Sequence, residues 1–320
     1  MKKKGTIILL CLFLLSALLI TAACSSETTS TPTPTTTSAQ TTYPVVVTDL
    51  LGRSVQISKL PTRIVTTHPT ATETLYKVGG TAVGRDSGSK YPAEVGNLTP
   101  VGSAYNLNTE AIAGLNPDLI IIEALTQQSA ISSLEKIGVP IIAVRAASVA
   151  DIDQSLTLVG KVVDRNATAA LAVADINTRI ATAQGNTTGG KSVLILISDA
   201  QRNIYAAKPE SYPGTVAALL KLVNPATGLP DSGPYPGFTL FTAEQALTSN
   251  PDVVFTISPA PAPAPRLSTV LPQTPGFNQM NAIKAGRVVE LDPVLFLQAQ
   301  GPRIADAVEE MLRLMNEVAS

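Results

Sequence analysis

Tryptophan is absent, histidine occurs once, and cysteine only at Cys11 and Cys24. A single imidazole cannot be completed into an ordinary zinc or manganese site, which draws on several His or Cys ligands. Two cysteines, one of them inside an apolar leader, cannot staple a disulfide scaffold. Aromatics make up 4% of the chain, too few for a platform that stacks single-stranded nucleic acid. Charged residues are 15% and the formal charge is −1, which removes the electrostatic case for any nucleic-acid partner. An exported enzyme is the main rival class, but there is no Gly-x-Ser-x-Gly elbow and no phosphate-cradling loop, and His68 has no visible acid-plus-nucleophile arrangement, so an enzyme is not expected. Nor are the repeats of an adhesin visible. What the chain does have is 320 residues with a 45% apolar share. At about 150 residues per domain that allows two well-filled domains.

The first part of the chain is an address. Lys2, Lys3 and Lys4 precede an almost unbroken apolar run over residues 7–20, short for a bilayer span, and then Ala22, Ala23 and Cys24. The expectation is a lipoprotein signal over residues 1–23, cleaved before Cys24, with a lipid on the Cys24 sulfur that ties the protein to the outer side of the cytoplasmic membrane, in a periplasm or on a cell surface. Thr21 departs from the usual aliphatic at its place. Loss of residues 1–23 removes three lysines and no acid, taking the charge from −1 to −4. Residues 24–43 are rich in Thr, Ser and Pro, cannot bury a core, and read as a flexible tether.

From residue 44 apolar runs alternate with helical patterns. Short strands at 45–48 and 54–57 flank Leu51-Gly52-Arg53 as a hairpin; strands at 63–67, 82–85, 118–122 and 140–144 are separated by helices, the βαβ rhythm of a parallel sheet. Residues 151–184 are helical in pattern with almost no breakers. Strands resume at 192–198, 253–257 and 287–291, and a helix over 302–318 closes the chain. The expected fold is α/β: two lobes of parallel or mixed sheet flanked by helices (44–150 and 188–320), joined by one long backbone helix within a helical linker at 151–187, with a ligand cleft between them.

A motif occurs once in each lobe. Glu110 is followed six residues later by Asn116-Pro117-Asp118, and Glu244 at the same spacing by Asn250-Pro251-Asp252, each ahead of an apolar strand. An acid in the first helical turn complements the dipole and Asn-Pro ends the helix, which accounts for each copy locally. Two matched lobes facing one another would also set both glutamates on the rims of one cleft.

These residues carry a resemblance. The stretches Thr48-Asp49-Leu50-Leu51-Gly52-Arg53, Pro61-Thr62-Arg63-Ile64-Val65, Pro69-Thr70-Ala71-Thr72-Glu73-Thr74-Leu75-Tyr76, Asn116-Pro117-Asp118, Asn250-Pro251-Asp252 and Gly301-Pro302-Arg303 follow one another in an order similar to that in the substrate-binding proteins of bacterial importers for vitamin B12, ferric siderophores and heme. The likeness spans about residues 45–320. It implies two lobes bridged by a rigid helix, a chelate held between them, no intrinsic cofactor, and delivery to an ABC permease with its ATPase. It also implies that Glu110 and Glu244 dock on arginines of that permease. Phe238 stands where B12-binding members carry a Trp facing the ligand, and Tyr105 lies one position from the matching first-lobe aromatic.

Ligands of open α/β sheets meet loops at the carboxyl ends of strands. That rule selects His68, Tyr91 and Tyr105 in the first lobe, and Asp199, Arg202, Tyr205, Phe238 and Phe296 in the second. Flat aromatic walls suit a corrin or porphyrin, although the lack of tryptophan weakens the B12 reading. His68 either ligates the metal of a heme or corrinoid or is a helix-entry histidine bonded to backbone. Arg145 and Arg202 are candidates for gripping the carboxylates of an iron chelate. The alternating Ala and Pro of residues 259–265 form a stiff loop, at the surface or at the cleft mouth. The expected ligand is a corrinoid or an iron complex, the corrinoid slightly ahead.

Overall fold

The computed structural model describes residues 40–320 apart from 188, 189, 262, 299 and 320; the expected signal, Cys24 and residues 24–39 of the expected tether lie outside the described residues. The end of that tether is fixed. The Thr41 amide donates to Asp164 Oδ1 (2.7 Å), its hydroxyl to the Lys161 carbonyl (2.8 Å), and the Tyr43 hydroxyl to the Val162 carbonyl (2.8 Å). Residues 41–43 therefore belong to the folded body.

The chain enters through the expected hairpin, β1 (Val45–Thr48) paired antiparallel with β2 (Ser54–Ile57). Asp49 closes its turn by accepting from the amides of Leu51 (3.0 Å) and Arg53 (2.9 Å) and pins it to the first lobe by accepting from the Ala143 amide (3.1 Å). That lobe holds β3 (Ile64–Thr66), α1 (Pro69–Lys77), β4 (Gly84–Arg85), β5 (Thr99–Pro100), a second hairpin of β6 (Gly102–Ser103) and β7 (Asn106–Leu107), α2 (Thr109–Gly114), β8 (Leu119–Glu123), α3 (Ile131–Leu134) and β9 (Ile141–Val144). Its sheet runs β5-β4-β3-β8-β9, with every pairing parallel. β8 is buried at every position, as its unbroken apolar run requires of a strand covered on both faces.

The expected unbroken helix is two. α4 (Val149–Val162) packs on α1 and belongs to the first lobe, and α5 (Asn166–Gly185) is the long backbone helix, about 30 Å for its 20 residues. Asp164, at φ 52, breaks the run, and the Arg165 amide donates to the Gly160 carbonyl at 2.7 Å. The signal was invisible to breaker counting because the residue in the left-handed turn is Asp, not Gly. Gly160 lets the two helices close up, since a Cβ there would stand 2.4 Å from Cβ of Ala169.

The second lobe comprises β10 (Val193–Ser198), β11 (Ile204–Ala207), α6 (Tyr212–Leu219), β12 (Phe238–Leu240), α7 (Ala243–Ser249), β13 (Val253–Ile257), α8 (Leu267–Val270), α9 (Asn281–Lys284), β14 (Val288–Leu291) and α10 (Ile304–Ala319). Its sheet is mixed, in the order β12-β11-β10-β13-β14, with β11 antiparallel to both neighbours. The α/β expectation holds. Both lobes lie in one compact unit, and one apolar cluster runs from Ile142 and Leu156 through Ile176 on α5 to Phe255 and Met311. A core shared across the backbone helix resists bending there.

Candidate functional site

A cavity of about 430 Å³ opens between the lobes, with walls built from the loops after β3, β4, β6 and β8 on one side and residues Leu297, Gln298 and Gln300 on the other. Its position follows the rule that loops at strand carboxyl ends meet the ligand.

His68 lines it from the turn between β3 and α1. Its backbone is extended, and Nδ1 caps α1 by accepting from the Thr70 amide at 3.2 Å, while Pro69 fits the first helical position because its missing N–H is not needed there. Burial pushes the imidazole below its usual value, against the pull of the Glu123 and Asp86 charges, so the ring is neutral at pH 7. With the Nδ1 lone pair engaged in the cap, the ring proton sits on Nε2. The cavity therefore meets a hydrogen-bond donor, and a metal could be taken only by a ring that had given up its cap. Of the two readings of His68, the geometry favours the helix-entry one.

Two carboxylates stand in the same wall and were not among the expected residues. Asp86, buried after β4, accepts from the Gly88 amide (2.7 Å) and from the Ser89 hydroxyl; a hydroxyl chain continues through Thr72 (2.9 Å) to Thr66 (2.7 Å). Glu123, buried at the end of β8, holds the next turn through Oε2, which accepts from the amides of Leu125 (2.9 Å) and Thr126 (2.8 Å) and from the Thr126 hydroxyl (2.7 Å). Gln127 ties this wall together: its amide donates to the carbonyls of Thr67 and Ala104 (both 2.8 Å) and its oxygen accepts from the Glu123 amide (3.0 Å). The strand-end rule reaches both acids, but their residue type does not set them apart from acids that merely close a turn. Gln298 and Gln300 carry no sequence signal, since their segment is placed by the turn that follows β14.

Tyr105 also lines the cavity, at the tip of the β6–β7 hairpin, and is 86% exposed. Gly102 makes this tight hairpin possible: it sits at φ 97, and a Cβ there would lie 2.4 Å from the Asn106 carbonyl.

The other expected cleft residues stand elsewhere. Tyr91 lies in a different crevice, its ring 4.4 Å from the Arg303 guanidinium. Arg145 is held by Asp151, whose hydrogen bond raises the guanidinium pKa further. Arg202 is exposed in the turn closed by its amide on the Asp199 carbonyl (3.1 Å). Tyr205 is buried, donating to Asp199 Oδ2 (3.0 Å) and meeting Tyr235 edge-on at 5.5 Å, with Phe238 buried beyond Tyr235 at 6.2 Å. Phe296 is fully buried. Tyr205, Phe238 and Phe296 all belong to the apolar core that runs across the backbone helix.

The repeated motif is a construction shared by the lobes. Glu110 and Glu244 are both exposed at the second position of α2 and α7, behind the caps Asn108 and Thr242. Asn116 (φ 47) and Asn250 (φ 40) end the helices in the left-handed region. Asp118 and Asp252 then accept from the backbone amides just ahead of β3 and β10, Arg63 at 2.8 Å and Ser192 at 2.8 Å. Desolvation opposes it, but hydrogen bonds from Thr62 and Arg63 hold the Asp118 carboxyl below its usual value.

Residues 64–295 match the family described as "Periplasmic binding protein". The chain belongs to the periplasmic binding protein family. Among its relatives, the "Uncharacterized ABC transporter substrate-binding lipoprotein YvrC" of Bacillus subtilis is 26% identical over 84% of this chain and 84% of its own. A "Cobalamin-binding protein" of Halobacterium salinarum is 24% identical over 86% of this chain and 74% of its own. The fold matches that of the periplasmic heme-binding protein HutB of Vibrio cholerae, with a TM-score of 0.70 at 19% identity, over 79% of this chain and 98% of that one.

Proposed function

We propose that this protein is the substrate-binding component of an ABC importer, lipid-anchored through Cys24 outside the cytoplasmic membrane, that captures a corrinoid between its lobes and hands it to the permease. Family membership and the names of the relatives support a binder that delivers a chelate, not an enzyme. The observation that carries the choice of ligand is the charge of the cavity wall. Asp86 and Glu123 face it with a neutral His68, and among the described residues that line it Lys90 is the one cation. Among the described lining residues the expected cationic grip is not formed: Arg202 is exposed in its own turn, and Arg145, though it feels the Glu123 charge, is held by Asp151. A carboxylate-rich iron chelate would meet like charge, whereas the carboxamide fringe of a corrinoid donates hydrogen bonds to such acceptors and accepts them from Gln298 and Gln300. Tyr105 supplies a flat surface for the macrocycle.

One observation favours a second reading. The exposed phenol of Tyr105 is a competent ligand for ferric heme iron. Titration of the full chain with cyanocobalamin and with hemin separates the two. The corrinoid reading expects saturable cyanocobalamin binding, weakened about tenfold or more in Tyr105→Ala. Saturable hemin binding with a tyrosinate charge-transfer band, and none of cyanocobalamin, would replace it with the heme reading.

A further inference from the structure

Two of the stretches that carried the family resemblance, 230 residues apart, meet across the lobe boundary. Glu73 lies on α1 of the first lobe with its side chain 4% exposed, and Arg303 immediately precedes α10 of the second lobe with its side chain 14% exposed. The guanidinium grips the carboxylate with both prongs, Nε to Oε2 at 2.9 Å and Nη2 to Oε1 at 2.7 Å. Tyr91, from the first lobe, lies against it with its ring centroid 4.4 Å away. One turn earlier on α1, the Thr70 hydroxyl donates to the Gln300 carbonyl at 2.7 Å.

These contacts have a position as well as a strength. Pro69 and Gln300 line the ligand cavity, whereas Glu73, Tyr91, Pro302 and Arg303 line a separate crevice of about 410 Å³. Residues 300–303 are thus a strap between two hollows, held to α1 on both sides of that partition. α1 is the helix capped by His68, and the strap carries Gln300, so one helix and one strap hold the two walls of the cavity at a set separation. A buried ion pair keeps this register because parting it leaves two desolvated charges without partners. A fork-shaped, ring-stacked Arg fixes orientation as well as charge, which Lys cannot.

We propose that Glu73 and Arg303, backed by Tyr91, form an interlobe clasp that positions the Gln300 wall opposite the His68 and Tyr105 wall before any ligand arrives. The proposal shares the cleft with the functional reading above, but its test needs no ligand, so the two can fail separately.

The test is amide hydrogen exchange on the full, ligand-free chain and on Arg303→Lys and Tyr91→Leu. Arg303→Lys keeps the charge and loses the fork. Tyr91→Leu removes only the ring from a half-exposed position, and serves alone if the lysine variant does not fold. The clasp expects exchange at least tenfold faster in both variants for residues 70–75 and 300–305, with β8 and β10 exchanging at wild-type rates. Unchanged exchange at the strap overturns it. So does an equal acceleration throughout both lobes, which would make the pair a general contributor to stability with no positioning role.

Discussion

Because His68 is the chain's one histidine, its cap on α1 can be isolated by pH. The perturbation is His68→Asn, which keeps a side-chain acceptor for the Thr70 amide and removes the titration. The folded-state pKa lies below the ordinary 6.5, chiefly through burial, with Glu123 and Asp86 opposing. Between the lowered folded value and 6.5 the unfolded chain therefore binds more protons than the folded one. The stabilisation is complete above about pH 6.5, is lost as pH falls through that window, and levels off below the folded pKa, with a slope of at most ~1.4 kcal/mol per pH unit for one group. Protonation at Nδ1 would set a donor against the Thr70 N–H, a further reason for the folded ring to resist the proton. Urea unfolding of the wild type and of His68→Asn at intervals from pH 5 to 8 reads this directly, since the carboxyls that do not act on His68, Glu73 among them, cancel in the difference. The wild type should lose stability relative to the variant on acidification and stay parallel to it above pH 7. Parallel curves over the whole range, or a relative gain on acidification, would refute the neutral, cap-accepting histidine.

Other outcomes follow from particular contacts. Glu110→Ala with Glu244→Ala should abolish uptake of the ligand in cells while changing its affinity for the isolated protein less than twofold; undiminished uptake ends the docking reading. Gly160→Ala should lower stability by about 1–2 kcal/mol in thermal melts, because the overlap with Ala169 outweighs the ~1 kcal/mol gained in helix propensity; a higher melting temperature would show that α4 and α5 are not in close contact. The Tyr212 hydroxyl is buried without a hydrogen-bond partner, and burial together with the Glu73 charge pushes its pKa far up. Tyr212→Phe should therefore leave stability unchanged or raise it by about 1 kcal/mol, as chemical denaturation will show, and a loss of 1 kcal/mol or more would mean the hydroxyl has a partner in solution.

The two lobes, their sheets and the position of the cleft were legible because buried parallel strands write continuous apolar runs such as Leu119-Ile120-Ile121-Ile122, which need no distant information to recognise. The break between α4 and α5 was hidden because Asp164 takes a conformation that sequence habits reserve for Gly. At the cavity, strand-end logic named His68 and Tyr105, which both line it because their own turns fix their places. It misplaced Phe238, Tyr205 and Phe296, because whether an aromatic at a strand end faces a cleft or a core depends on helices packed over it from far along the chain. Glu123 was overlooked since an acid closing a turn and an acid facing a ligand look alike until the turn is seen.

The bracing of each exposed glutamate to its sheet has a mechanical consequence. Through Asp118 and Asp252 the α2–β8 and α7–β13 corners are welded to their lobes, so the span between Glu110 and Glu244 cannot change unless the aperture does. Under the docking reading the pair works like the jaws of a caliper. A permease whose arginines are fixed in space would gauge from that span how far apart the lobes stand, without touching the cargo.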